Sequence, residues 1–254
     1  MKLLRGISAL LALVGLAAAA RADFSYSQIF DSMGSGTAAP SGWSVLTIAG
    51  ASSTLTLPTS VTMTSATAGS STLAVWNQTS AAVTWGNQAA NMGSTASDTN
   101  RLLGTSPTGT LGSMLQLDLA NNSGETLSAV NVAYDMKAMK NGTLKSGFSA
   151  TAEELPGYRF YFIDGATWTH VPSLDLANDT LNSVGHASAT INFTSPVADG
   201  SSMKFRWFDD NGDPFSPDFM IAIDNVSVAS VPEPASLAVV AIGVVALMVR
   251  RRRV

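Results

Sequence analysis

The chain has 254 residues, no cysteine, 13% charged residues and a formal net charge of −4. Zero cysteines exclude a disulfide framework, a thiolate nucleophile and a thiolate metal site. Between residues 23 and 230, seven Lys and Arg side chains stand against seventeen Asp and Glu, a net of −10. A surface this acidic excludes charge-driven binding of nucleic acid or anionic polymers, and favours divalent cations or neutral glycans.

At the N-terminus, Lys2 and Arg5 precede an apolar run from Ile7 to Ala20, and Ala20-Arg21-Ala22 places small residues where a signal peptidase reads them. This predicts a secretory signal peptide over residues 1–22, cut before Asp23; the run is too short for a membrane helix. The body over residues 23–230 is long enough for one sizeable core, and nothing in it demands a second domain.

Within the body the period is two. Val130, Val132, Tyr134 and Met136 alternate with Asn131, Ala133, Asp135 and Lys137, and Met203, Phe205 and Trp207 alternate with Lys204 and Arg206. Similar short runs predict strands at Phe24–Phe30, Trp43–Ile48, Thr54–Leu57, Val61–Thr64, Thr72–Trp76, Met114–Leu119, Tyr158–Ile163, Ala187–Phe193 and Phe219–Val228. Gly, Asn, Ser, Asp and Pro clusters separate them, as turns require. Outside the two ends no segment carries a sustained helical stripe, so the expected fold is all-β, an antiparallel β-sandwich of jelly-roll type. The weakest pattern lies between Gly69 and Gly112.

The densest group of potential ligands is Asp209, Asp210, Asn211, Asp213, Asp218 and Asp224. Calcium takes six to eight oxygens, and such a turn, joined by Asp31 from the opening strand, supplies carboxylates and an amide. The expected metal set is Asp31, Asp209, Asn211, Asp213 and Asp224. An EF-hand loop is excluded, because Gly212 falls at its fourth position, Pro214 stands where glycine is obligatory and Met220 replaces the closing glutamate. The alternative is a hairpin loop whose acids are simply solvated.

Five tryptophans follow. Trp207 shares a face with Met203 and Phe205 and is expected in the core. Trp76 and Trp85, in the loop-rich region, are the candidates for an exposed platform on which sugar rings stack. Nothing points to catalysis. His170 and His186 lie in turn-rich surroundings without a nucleophile motif, and Glu153-Glu154 would need a second carboxylate at a defined separation.

At the C-terminus, Val231-Pro232-Glu233-Pro234 leads into fifteen uncharged residues, 235–249, then Arg250, Arg251, Arg252 and Arg253. The prolines postpone helix to about Ala235, and from there the run spans roughly 22 Å against a hydrocarbon core of ~30 Å. This predicts a short transmembrane helix over 235–249 whose arginine stop at 250–253 stays in the cytoplasm. An ordinary tail anchor is the alternative.

The order of Pro-Glu-Pro, apolar run and basic stop over residues 231–254 resembles the PEP-CTERM sorting signal of bacterial exported proteins. That resemblance implies an exosortase-type processing enzyme as partner, beside signal peptidase, and a protein tethered with its body outside the cytoplasm before reaching the cell surface or extracellular space. A second resemblance covers most of the body. Phe30-Asp31-Ser32-Met33-Gly34 with Ala39-Pro40-Ser41-Gly42-Trp43 looks like the opening of bacterial exported jelly-roll modules. Phe205 to Asp210 and Ile221 to Val226 look like their close; Asn100 to Gly104 and Asn121 to Thr126 fit the middle. Opening and close are also similar to MAM-type adhesion modules and carbohydrate-binding jelly rolls, in which first and last strands pair and calcium often sits nearby. Where such modules often carry two acids, this chain has Asp224-Asn225. Together the resemblances imply a non-catalytic surface or matrix protein linked to exopolysaccharide and biofilm adhesion. A calcium-dependent carbohydrate-binding module is the alternative, and a polysaccharide hydrolase a further one.

Overall fold

The period-two runs become strands whose apolar side chains share one interior. Met203, Phe205 and Trp207, Leu115, Leu117 and Leu119, and Val130, Val132, Tyr134 and Met136 all enter a single buried cluster. The structure, a computed structural model, describes residues 23–50, 58–69, 71–78, 89–95, 97–107, 110–140, 156–178, 180–211 and 219–231. In chain order its elements are β1 (Ser25–Gln28), β2 (Trp43–Ile48), α1 (Ser60–Thr64), β3 (Thr67–Ala68), β4 (Ala74–Asn77), β5 (Ala89–Gly93), β6 (Leu102–Thr105) and β7 (Gly112–Ala120). The second half continues with β8 (Leu127–Lys140), β9 (Gly157–Asp164), β10 (Thr167–His170), β11 (Leu176–Ala177), β12 (Val184–Val197), β13 (Ser202–Asp210) and β14 (Met220–Ser230).

One sheet runs β12-β8-β14-β6-β5-β4, with β1 beside β14, and the other runs β10-β9-β13-β7-β2-β3, with β11 beside β9. The pairs are antiparallel except β4 with β5. The chain changes sheet between β1 and β2, β3 and β4, β6 and β7, β7 and β8, β8 and β9, β11 and β12, β12 and β13, and β13 and β14, which makes an antiparallel β-sandwich of jelly-roll type. First and last strands pair, Ser25 opposite Ala229 and Gln28 opposite Val226. The Ser230 N–H donates to the Phe24 carbonyl at 2.9 Å, so the two ends of the described body leave it side by side.

At the centre of the interior Trp207 meets Phe160 and Tyr134 edge-on, at 5.1 and 5.7 Å between ring centroids, and Trp43 lies 5.2 Å away. Edge-on contacts set positive ring edges against negative faces, adding to the burial of large apolar area. Two smaller clusters cover outer faces. Trp76, Met92, Leu102, Met139 and Met220 lie over the first sheet, and Met63, Tyr161, Trp168 and Phe208 over the second.

The segment expected as a strand at Val61–Thr64 is helical. Pro58 is followed by Thr59, whose side chain accepts the Thr62 N–H at 3.3 Å, and this N-cap starts a single turn that seats Met63 on the second sheet. Local capping outweighs the β preference of Val and Thr over so short a stretch. The expected signal peptide at 1–22, the strand at Thr54–Leu57, and the transmembrane helix at 235–249 lie outside the described residues. Among the described residues no helix is long and apolar enough to cross a membrane.

Truncation of Trp207 to Ala removes the ring that three others pack against, and should lower the stability of residues 23–231 by about 3–5 kcal/mol. Urea denaturation checks this; a loss under 1 kcal/mol would mean that the four rings do not organise the core.

Candidate functional site

The acids expected to gather around one ion are divided between two places. Asp209, at the end of β13, is buried between the sheets, where the Thr105 hydroxyl donates to its carboxylate. Thr105 in turn meets the Tyr158 hydroxyl at 2.8 Å, and Tyr158 reaches the Ile221 carbonyl at 3.1 Å. Burial, followed by the charge of Asp209, pushes the Tyr158 phenol well above its usual value. Asp210 is buried against the Arg159 guanidinium, and Asn211 donates its amide to the Thr110 carbonyl at 2.7 Å. Asp209 bridges the two sheets from inside, whereas Asp210 and Arg159 pair within the second sheet; the solvated-loop reading of Asp209, Asp210 and Asn211 is corrected, since all three are buried and partnered. Asp213 and Asp218 lie outside the described residues.

Asp224 lies elsewhere, at a bulge in β14. Ile221 and Ile223 face the core, and so do Val226 and Val228, although their spacing is odd on one side of residue 224 and even on the other. The register to β8 shifts between Asp224, opposite Asp135, and Ser227, opposite Ala133, and Asn225 takes φ +50°. An asparagine tolerates the left-handed region better than a β-branched residue, because its short amide bonds locally. The inserted residue turns both Asp224 and Asn225 out of the core.

These two residues form one wall of a groove of about 400 Å³ on the outer side of the first sheet. Asp135, Met136 and Lys137 come from β8, Val184 from β12, Ser94, Asp98 and Asn100 from the turn between β5 and β6, and Leu102 from the start of β6. Asp135 is gripped from both sides, by Asn225 Nδ2 at 2.7 Å and His186 Nδ1 at 2.7 Å. Asp98 accepts the Ser94 and Asn100 N–H groups at 2.9 and 3.1 Å. Those bonds, the Ser94 one foremost, hold its carboxyl below the usual range. Lys137 Nζ reaches Ser94 Oγ at 3.3 Å. The Asp224 carboxyl is pushed up to about 6, first by burial, against the Asn225 N–H that favours its charge, and further by Asp31 and Asp135.

Asp31 thus lies near enough for Asp224 to feel its charge. β1 and β6 lie end to end along one side of β14, opposite residues 226–229 and 221–223, and the bulge falls in the gap between them. Asp31 accepts the Arg101 N–H there at 3.0 Å. The Arg101 side chain is buried on Asn91, with Nε to Oδ1 at 2.7 Å. Among the described residues no group of three or more Asp, Glu or His side chains is spaced to hold a metal ion.

Trp76 is 1% exposed, within the outer cluster with Met92 and Leu102, which corrects the expectation of a stacking platform there. Trp85, Glu153 and Glu154 lie outside the described residues, as do Pro232, Glu233, Pro234 and Arg250 to Arg253. Val231 is the last described residue and is exposed. Sequence reasoning missed Asp98, Asn100 and Asp135 as groove residues. Asp135 had been read as the solvent side of a strand, which it is, but the facing bulge was hidden. The odd-to-even switch from Ile223 to Val226 was the available signal.

The PEP-CTERM protein-sorting motif matches residues 230–253. No curated protein matches the chain. Among solved structures, one titled "CBM4 structure and function" is 15% identical with a TM-score of 0.31, covering 51% of this chain and 84% of its own. A Stig cyclase Fisc from Fischerella sp. TAU is 16% identical with a TM-score of 0.42, covering 83% and 100%. The CBM22-1 and GH10 modules of Clostridium thermocellum xylanase 10B are 10% identical with a TM-score of 0.37, covering 84% and 28%. These are similarities of fold alone.

A carboxyl raised from 3.8 to about 6 opposes folding once it ionises. The unfolded chain gives up this proton near pH 4 and the folded one near pH 6, so the penalty is absent below about pH 4, grows between, and is complete above about pH 6. Asp224→Asn keeps an acceptor for the Asn225 N–H. It should match the parent near pH 4 and exceed its stability at pH 8 by about 1 kcal/mol, allowing for solvent screening. Urea midpoints across that range measure the difference, and a constant difference would contradict the raised value.

Proposed function

We propose that a chain carrying the PEP-CTERM protein-sorting motif over residues 230–253 is exported, tethered by that segment, processed by an exosortase-type enzyme, and displayed at the cell surface or in the extracellular matrix. Its body, residues 23–230, is a non-catalytic module that associates with neutral exopolysaccharide. The sorting motif is the single observation that carries this reading. The signal-peptide pattern of residues 1–22 agrees with it, and so does the acidic, cysteine-free composition of the body.

The groove supports the polysaccharide part. Its carboxylates and amides can accept from and donate to adjacent sugar hydroxyls, while Val184, exposed at its rim, offers apolar surface to the C–H face of a ring. His170 Nε2 meets the Asp175 carboxylate at 2.8 Å and His186 Nδ1 that of Asp135 at 2.7 Å, contacts that orient each imidazole through one ring nitrogen. The charge of Asp31 felt at Asp224 favours a second reading, in which calcium assists binding.

Replacing Pro232, Glu233 and Pro234 with Ala should leave the chain in the membrane fraction at its unprocessed mass, with its surface form lost. A normal surface level after that change would remove the sorting part. Asp135→Ala, which frees both Asn225 and His186, should weaken retention of residues 23–231 on the producing cell's polysaccharide by about tenfold. The same affinity run in chelator separates the two readings, since only calcium-assisted binding is lost. Turnover of the polysaccharide would replace both with a hydrolase.

A further inference from the structure

The edges of the two sheets are unequal. The second sheet ends in β3, with two residues, and β10, with four; the far edge of the first sheet is β4, also with four. Short edges offer little backbone to a passing strand. β12 is fourteen residues long, and among the described residues it pairs on one side only, with β8.

Each end of β12 meets a neighbouring side chain. Near its start the Leu176 side chain lies so close to Gly185 that a Cβ there would approach it to 3.0 Å. Near its end the Asp164 carboxylate accepts from the Thr194 N–H and hydroxyl, at 3.1 and 2.6 Å, and from the Ser195 N–H at 2.9 Å. The window from His186 to Phe193 lies between these contacts. His186, Ser188, Thr190 and Asn192 are exposed on its outer face, and Ala187, Ala189, Ile191 and Phe193 point inward.

From Val184 to Val197 the strand contains no Asp, Glu, Lys or Arg. Natural edges usually carry a charge to repel other strands, and this one lacks it in a body whose net charge is −10. Two copies of so acidic a body repel one another over most approaches, and an uncharged strand is where that repulsion is least. The nearby Asp135 and Asp164 are already bonded to His186 and to Thr194 and Ser195. An antiparallel strand is its own complement, since a two-fold axis sets the same residues opposite each other. Pairing would continue the Ser, Thr and Asn row across the junction, and the small side chains of Ala187 and Ala189 would let the inner faces approach closely.

We infer that the His186–Phe193 window of β12 is an interaction surface for a second copy of this chain, joined edge to edge as an antiparallel, two-fold-symmetric dimer whose first sheets become one continuous sheet. The dimer places two grooves on one outer face, so a polymer chain can meet both.

The chain contains no native cysteine, which makes a single introduced one unambiguous. In the full chain, exported by its own signal, Ser188→Cys should yield a disulfide-linked species of twice the chain mass. Val75→Cys, exposed on the opposite edge at β4, measures random collision and should yield several-fold less. Adjacent residues direct their N–H groups to opposite sides of a strand. Of Ala189→Pro and Thr190→Pro, therefore, one removes an outward donor and spares the ladder to β8. Added to Ser188→Cys, the one that keeps the parent's circular dichroism should abolish the dimer. Should both prolines unfold the body, co-purification of untagged with tagged chains from cells making both is the second reading. Equal cross-linking from Val75→Cys, an adduct of another mass, a dimer that survives the tolerated proline, or failure to co-purify would each overturn the proposal.

Discussion

The extra residue in β14 governs both the interior and the outer surface of this sandwich. A strand alternates its faces at every residue, so with an unbroken pleat either Ile221 and Ile223 or Val226 and Val228 would point to solvent. The bulge at Asp224 and Asn225 lets both pairs stay inside. It requires a left-handed residue, which asparagine supplies, and it leaves a backbone gap beside β14 that Asp31 and Arg101 occupy. Packing thus forces two polar side chains outward at one spot, and the groove forms around them.

The interior shows how charge is admitted to a core without disulfides. Asp209 on one sheet bonds Thr105 on the other, and Tyr158 reaches the Ile221 backbone across the same space, while Arg159 lies against Asp210 within the second sheet. Each partner removes a desolvation penalty that the other would otherwise suffer. Such a network contributes less net stability than apolar packing of equal volume, but it ties the two sheets together in one relative position. The same residues would look, in a linear sequence, like ligands for an ion.

That ambiguity explains what could be read from sequence. Trp43–Ile48 coincides with β2 to the residue, because Gly42 and Gly50 bracket a clean apolar alternation. Trp207 was legible as core from Phe205 and Met203 on the same face. β5 and β6 were not legible, since Ala89–Gly93 and Leu102–Thr105 are buried throughout and show no alternation. The groove was hidden for a different reason. Asp98, Asp135 and Asp224 are far apart in sequence, and only the pairing of β14 with β8 and β6 gathers them. The burial of Trp76 likewise depends on Met92 and Leu102, which no local pattern connects to it.

The adjacency of Phe24 and Ser230 bears on how the molecule carries load. β14 is flanked by β8 on one side and by β1 and β6 on the other. In a chain tethered through its C-terminal segment, as proposed, tension from anything gripping the body would enter at Val231 and run along the axis of this enclosed strand. Hydrogen bonds perpendicular to the pull are then strained in shear, many at once, rather than peeled open one after another. A strand enclosed on both sides resists extraction along its own axis.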